Sequence, residues 1–194
     1  MFGGVGLLCF HPRSLSFFMD LNKFSYADQS GVRVVDQVFQ LAAGESCDDL
    51  LKCSHLEDSS FTGCSILACS DARENAIDCN RLCHAILFSS CLVNGGNQAA
   101  IVVKGECSNI AFKECTLVAS NKSWCDVLVD DWSDQSKNPS TDIDLRGLHR
   151  IDGKKVRIVF GRFKAPLYDK RTAKICWIKS AGLHVYNLVK GIFY

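Results

Sequence analysis

The chain has no apolar run near the ~20 residues that a membrane-spanning helix requires, so no membrane association of that kind is expected. It has no Cys-x-x-Cys, although it carries 12 cysteines. Structural zinc sites show close cysteine pairs arranged twice, and the group Cys79, Cys83 and His84 does not replace them, so no metal is expected. There is no Gly-x-Ser-x-Gly, and Gly3-Gly4-Val5-Gly6 lacks the Lys-Ser/Thr of a phosphate loop; no cofactor is expected either. The five histidines are scattered without evident partners. At the N-terminus the elements of a signal peptide are incomplete: no Lys or Arg precedes the short apolar stretch, and His11-Pro12-Arg13 interrupts it. Met19 is a second candidate start, which would make residues 1–18 a leader. Composition excludes disorder, because 47% hydrophobic and 22% charged residues are ordinary for a folded chain. At 194 residues it is long enough to bury one real core.

What is present is a repeat. Cys83, Ile86, Phe88 and Cys91 recur as Cys107, Ile110, Phe112 and Cys115, each displaced by 24 residues. Phe61-Thr62-Gly63-Cys64-Ser65-Ile66 is a fainter earlier copy, and Ile143-Asp144-Leu145-Arg146-Gly147-Leu148 a later one. One supersecondary unit per ~20 to 50 residues marks a stacked solenoid. Equivalent positions of a solenoid stack along its axis, so Cys83 lies with Cys107, and Cys64 with Cys91 and Cys115. A free cysteine packs as a small hydrophobe, and thiols stacked in parallel do not point at one another. These cysteines are therefore read as reduced, buried ladders, which places synthesis in the cytoplasm.

From about Cys47 onward the pattern is one of short strands separated by polar corners. Expected strands are Phe61–Leu67, Ala76–Cys79, Ala85–Val93 with a break at Ser89, Ala100–Lys104, Ile110–Val118, Asp126–Val129, Ile143–Leu145, Val156–Phe160, Ile175–Ile178 and Leu183–Tyr186. With no helix between strands in a 24-residue repeat, the sheet must be parallel and coiled on itself. The fold expected is all-β, a right-handed parallel β-helix. Ahead of it, Val32, Val35, Val38, Phe39 and Ala42 fall at helical spacing between Ser30 and Gly44, which predicts a helix capping the first open edge; the alternative is that Val32–Val35 is itself the first strand. The organisation expected is a leader and cap over 1–46 and a β-helix over 47–194 whose portion 146–194 is basic.

The segment Cys107-Ser108-Asn109-Ile110-Ala111-Phe112-Lys113-Glu114-Cys115-Thr116-Leu117 resembles the repeat of the pectin-lyase-like right-handed β-helix superfamily. The resemblance spans roughly residues 47 to 160. The superfamily includes polysaccharide lyases and hydrolases, surface adhesins, and bacteriophage tailspikes and other virion proteins. Its polygalacturonase branch uses adjacent aspartates, and Asp130-Asp131 are the fallback catalytic candidates here. The companion motifs are missing: there is no Asn-Thr-Asp, no His-Gly and no Arg-Ile-Lys, and the Arg-x-Pro-x-x-Arg of the lyase branch is also absent. A solvated corner is the plainer reading of the two aspartates. The loop Trp132–Ser140, the longest, reads as a surface insertion or a binding loop.

The net charge of +1 conceals a division. Residues 1–145 hold 10 Lys and Arg against 19 Asp and Glu, a net of −9. Residues 146–194 hold 12 against 2, a net of +10. In a solenoid sequence order is spatial order, so one end is basic and steers acidic partners toward it. The candidate binding residues are Arg146, Arg150, Lys154, Lys155, Arg157, Arg162, Lys164, Lys170 and Arg171. The expected function is a non-enzymatic structural or interaction protein, with a phage virion component, made in the host cytoplasm, as the setting that the resemblance implies. Partners expected are further copies of the chain, as a trimer, and another virion or acidic protein surface. The alternative is a polysaccharide-binding or polysaccharide-degrading β-helix; nucleic acid is the weaker option.

Overall fold

The computed structural model describes residues 23–161 apart from 43, 70–71, 119–122, 124 and 132–135, together with three short strands beyond them. In chain order the strands are β1 (Phe24–Ser30), β2 (Arg33–Val35), β3 (Val38–Gln40), β4 (Cys47–Thr62), β5 (Ser65–Cys69), β6 (Ala72–Asn80), β7 (His84–Ser89), β8 (Leu92–Gly95) and β9 (Ala99–Val103). They continue with β10 (Ser108–Lys113), β11 (Cys115–Val118), β12 (Val127–Val129), β13 (Thr141–Asp144), β14 (Leu148–Arg150), β15 (Arg157–Phe160), β16 (Leu167–Asp169), β17 (Lys174–Cys176) and β18 (Ile192–Phe193).

These strands wind into a parallel β-solenoid with three faces. Face one stacks the first part of β1, the first half of β4, then β6, β9, β12 and β15. Face two stacks β2, the second half of β4, then β7, β10 and β13. Face three is the five-stranded sheet β3, β5, β8, β11 and β14. Every one of these pairings is parallel. Only the C-terminal strands run the other way, β18 against β15, and the β16–β17 hairpin against β13. The strand expected at Leu183–Tyr186 lies outside the described residues, as do residues 1–18.

Register explains the interior. Leu51, Ile77, Ile101, Val127 and Ile158 form one rung series, and Ile86, Ile110 and Ile143 another. Phe61, Phe88 and Phe112 stack with centroids 4.9 Å apart at both steps and planes within 10° and 6° of parallel, which is the strand spacing itself. At the N-terminal end the stack is closed by edge-on aromatics: Phe24 meets Phe39 at 5.1 Å and Tyr26 meets Phe61 at 5.3 Å.

Turning the corner of so narrow a tube takes a left-handed residue at fixed rungs. Gly31, Asp58, Ala85, Asn109 and Asp142 have positive φ at one corner, and Asp36, Gly63, Ser90 and Glu114 at another. Gly, Asp and Asn enter this region most readily; Ala85 and Glu114 are held there by the stack at a cost on the order of 1–2 kcal/mol each. The corner leaves carbonyl groups facing inward, and this accounts for the cysteines. Cys64, Cys91 and Cys115 directly follow the left-handed residue. The Cys91 thiol donates to Ser89 O and to Phe61 O of the preceding coil, both at 3.3 Å. Cys115 does the same to Lys113 O at 3.3 Å and Phe88 O at 3.5 Å. A small apolar side chain with a weak donor fits where a buried carbonyl would otherwise go unpaired. Cys83 and Cys107 play this part at another corner, bonding Asn80 O at 3.1 Å and Lys104 O at 2.9 Å. Among the described residues nine cysteines are buried and free of disulfides. Burial pushes the Cys125 thiol up to about 12.

The helix expected between Ser30 and Gly44 is not formed. That stretch is β2 and β3, and the first coil begins at Phe24, well ahead of Cys47. Val34 and Phe39 point inward, while Val35 and Val38 are 57% and 58% exposed. The left-handed corner at Asp36 resets the alternation between the two strands, and the resulting spacing imitates a helical period.

Candidate functional site

The last coil ends unevenly. The outer edge of β15 is taken by β18 and that of β13 by β17, whereas β14 has no further strand partner among the described residues. The inward series on face three runs Phe39, Ile66, Val93, Leu117 and then Arg150. A guanidinium thus replaces the aliphatic side chain on the final rung. It donates to Asp126 at 3.1 and 2.9 Å and to Asp152 at 2.9 and 2.7 Å. Asp126 is buried and also accepts from the Arg157 backbone N–H at 2.8 Å and its Nη2 at 3.0 Å. This ion-paired lid finishes the apolar stack where the next coil would have covered it. Hydrogen bonds from Arg150 hold the Asp152 carboxyl well below its ordinary range.

Beside the lid lies a groove of about 340 Å³. Its floor is Leu145, Leu148, Val156 and Ile158, and its rim carries Arg146, His149, Lys154 and Lys155. Arg146 is bound to Asp144, with Nε at 2.8 Å, and lowers that carboxyl's pKa by hydrogen bonding. Lys154 Nζ is 3.6 Å from Asp152. Lys155 is exposed and makes no ion pair among the described residues. The structure therefore gathers Arg146, Arg150, Lys154 and Lys155 of the expected basic set around one groove and assigns Arg157 to the lid. Arg162, Lys164, Lys170 and Arg171 lie outside the described residues.

Asp130 and Asp131 do not form a solvated corner, since both are buried. Asp130 accepts from Ser140 N at 3.2 and 3.0 Å and from Ser140 Oγ at 2.7 Å. Asp131 pairs with Lys104 Nζ at 3.2 Å. The first carboxylate secures the end of the 132–140 loop. Glu106 secures its middle through the N–H of Lys137 at 2.9 Å and Asn138 Nδ2, also at 2.9 Å.

Sequence reasoning missed a buried polar network on face one. Asp49, Lys52 and Ser54 of β4 meet Asn75, Asp78 and Asn80 of β6, with Lys104 after β9 and Asp131 after β12. Lys52 Nζ lies 3.3 Å from Asp49 and 3.5 Å from Asp78. Asn75 donates to Asp49 at 2.8 Å, and Asn80 to Asp78 at 2.8 Å. Burial, and then the charge of Asp49, push the Asp78 carboxyl up to about 7 against the pull of Lys104 and Lys52. The signal was legible in principle, because Lys52 and Asp78 are register partners, but it needs the coil length of this particular step.

Among the described residues no three His, Cys, Asp or Glu side chains converge as metal ligands. Cys83 belongs to a corner, and His84 is exposed with Nδ1 2.8 Å from Ser108 Oγ. Set against protein-family models, curated proteins and solved structures, the chain matches none of them.

Proposed function

We propose that this protein is a non-enzymatic interaction solenoid that holds an acidic partner against the groove of its last coil. The observation that carries the reading is the groove itself: an apolar floor rimmed by Lys154, Lys155, Arg146 and His149 at the one strand edge of the last coil without a partner among the described residues. Opposite charges across an interface set encounter and orientation. The acid–base alternative has no comparable support, because the Asp130 carboxylate is committed to Ser140. A short rigid rod suits a component of a larger assembly, and the phage virion is the setting that the resemblance implies. There the acidic partner would be another virion subunit, or a further copy of the chain in a homo-oligomer.

The test is titration of the full chain with fluorescein-labelled poly-glutamate at low salt. The Lys154→Glu/Lys155→Glu double variant is expected to bind about tenfold more weakly, a change of about 1.4 kcal/mol. Unchanged binding in that variant refutes the reading. So does turnover of any member of a polysaccharide panel that is lost in Asp130→Ala while the variant stays folded.

A further inference from the structure

We infer that the acidic partner binds as an extended segment, adding to β14 as the next parallel strand of face three; this rests on the function proposed above. The ladder on this face has a fixed hydrogen-bond phase. Ser65 N donates to Gln37 O at 2.9 Å, Leu92 N to Cys64 O at 2.9 Å, and Thr116 N to Cys91 O at 2.8 Å. Each donor is the register partner of the residue just after its acceptor. His149 continues that series opposite Thr116. One more rung would therefore place a residue opposite His149, its N–H on Leu148 O and its carbonyl on Arg150 N–H.

Those two groups are the ones left without a partner among the described residues. On the far side of β14, Leu148 N–H turns back to Leu145 O at 3.1 Å, and Arg150 O takes Gly153 N at 3.0 Å. These turns retire the neighbouring groups and leave one complete parallel pairing unit. Unpaired strand edges are the usual route of peptide addition, in which the backbone supplies affinity and the flanking pockets supply selectivity. The groove lies along this edge. A segment alternating apolar and acidic residues would set its apolar side chains on Leu145, Leu148 and Val156 and its carboxylates toward Lys154, Lys155 and Arg146. The patch of Arg146, Arg150, Lys154, Lys155 and Arg157 outnumbers its carboxylates, Asp126, Asp144 and Asp152, so added negative charge is complementary.

The experiment uses the full chain and a fluorescein-labelled peptide of alternating valine and glutamate, with three comparison probes: the same peptide N-methylated at alternate residues, its lysine counterpart, and oligothymidylate. Strand addition predicts binding of the parent peptide, at least about tenfold weaker binding of the N-methylated one, no binding of the lysine peptide, and new exchange protection at the Arg150 amide. Equal binding of parent and N-methylated peptides with no protection at Arg150 overturns strand addition while leaving an acid-binding groove in place. Failure of the parent peptide together with poly-glutamate overturns both readings. Preferential binding of oligothymidylate, or self-association abolished by Lys154→Glu/Lys155→Glu, reassigns the edge to nucleic acid or to a second copy and overturns the proposal.

Discussion

Replacing Asp78 by Asn should make the protein less sensitive to a rise in pH through the neutral range. The buried network on face one holds three carboxylates, from Asp49, Asp78 and Asp131, against two ammonium groups, from Lys52 and Lys104. It is one positive charge short, and a proton on Asp78 makes up the difference. Burial first, and then the charge of Asp49, push this group, 1% exposed, from 3.8 up to about 7. The sign follows from proton counting. Below the ordinary carboxyl range both folded and unfolded chains hold the proton and the contribution is complete. As pH rises from about 4 to about 7 the unfolded chain releases its proton first, so stability falls. Between about pH 5 and about pH 8 a shift of this size removes about 3 kcal/mol from the wild type and nothing from the amide at this position. For a chain of this length that corresponds to roughly 6–12 °C in Tm. Thermal melts followed by circular dichroism at the two pH values measure it, the quantity of interest being the difference between variant and wild type at each. Asp78→Asn should gain on the wild type as pH rises. A Tm difference that is the same at both pH values would show that Asp78 carries no proton in the folded protein, and the charge count would be wrong.

Three further outcomes are expected. A thiol reagent applied to the native protein should label no more than the three cysteines outside the nine buried ones, with the rest reacting only on unfolding; prompt labelling of Cys91 or Cys107, mapped by peptide mass, would contradict the corner role. Phe88→Ala removes the middle ring of a three-ring stack and should cost about 3–5 kcal/mol in urea unfolding. Asp126→Ala removes the buried carboxylate shared by Arg150, 9% exposed, and Arg157, and leaves Arg150 only its pair with Asp152; it should cost about 3 kcal/mol, whereas Lys155→Ala should leave urea stability within about 0.5 kcal/mol.

How far the sequence revealed this fold depended on whether successive coils had equal length. Cys83 and Cys107, and Cys91 and Cys115, were legible because the step from β7–β8 to β10–β11 is 24 residues at every position. The step before it is 27 residues, as from Phe61 to Phe88, and the pairing of Cys53 with Cys79 spans 26. These unequal steps blurred the earlier copies and hid the Asp49–Asp78 network altogether. The first coil was misread for another reason. Two of its strands, β2 and β3, are only three residues each, too short for alternation to declare itself, and the corner at Asp36 shifts the phase between them.

The basic C-terminal segment was visible as a sum, and the sum does not separate its paired cations from its exposed ones. Arg150 and Arg157 belong to the +10 total, yet both are turned toward a carboxylate, Asp126, that lies 24 and 31 residues earlier. In a solenoid a charged side chain can find its partner one coil away, so a running charge count cannot separate a paired cation from an exposed one. The end of the stack breaks this rule in a definite way. A residue on an interior coil has neighbours on both sides, as Lys104 does between Asp78 and Asp131. A residue on the final coil has them on one side only. Cations placed there find half the partners, which is why Lys154 and Lys155 keep their charge exposed while Lys52 and Lys104 do not. Among the described residues, the end of the stack that leaves Leu148 O and Arg150 N–H without a partner also leaves the positive charge around them only partly compensated.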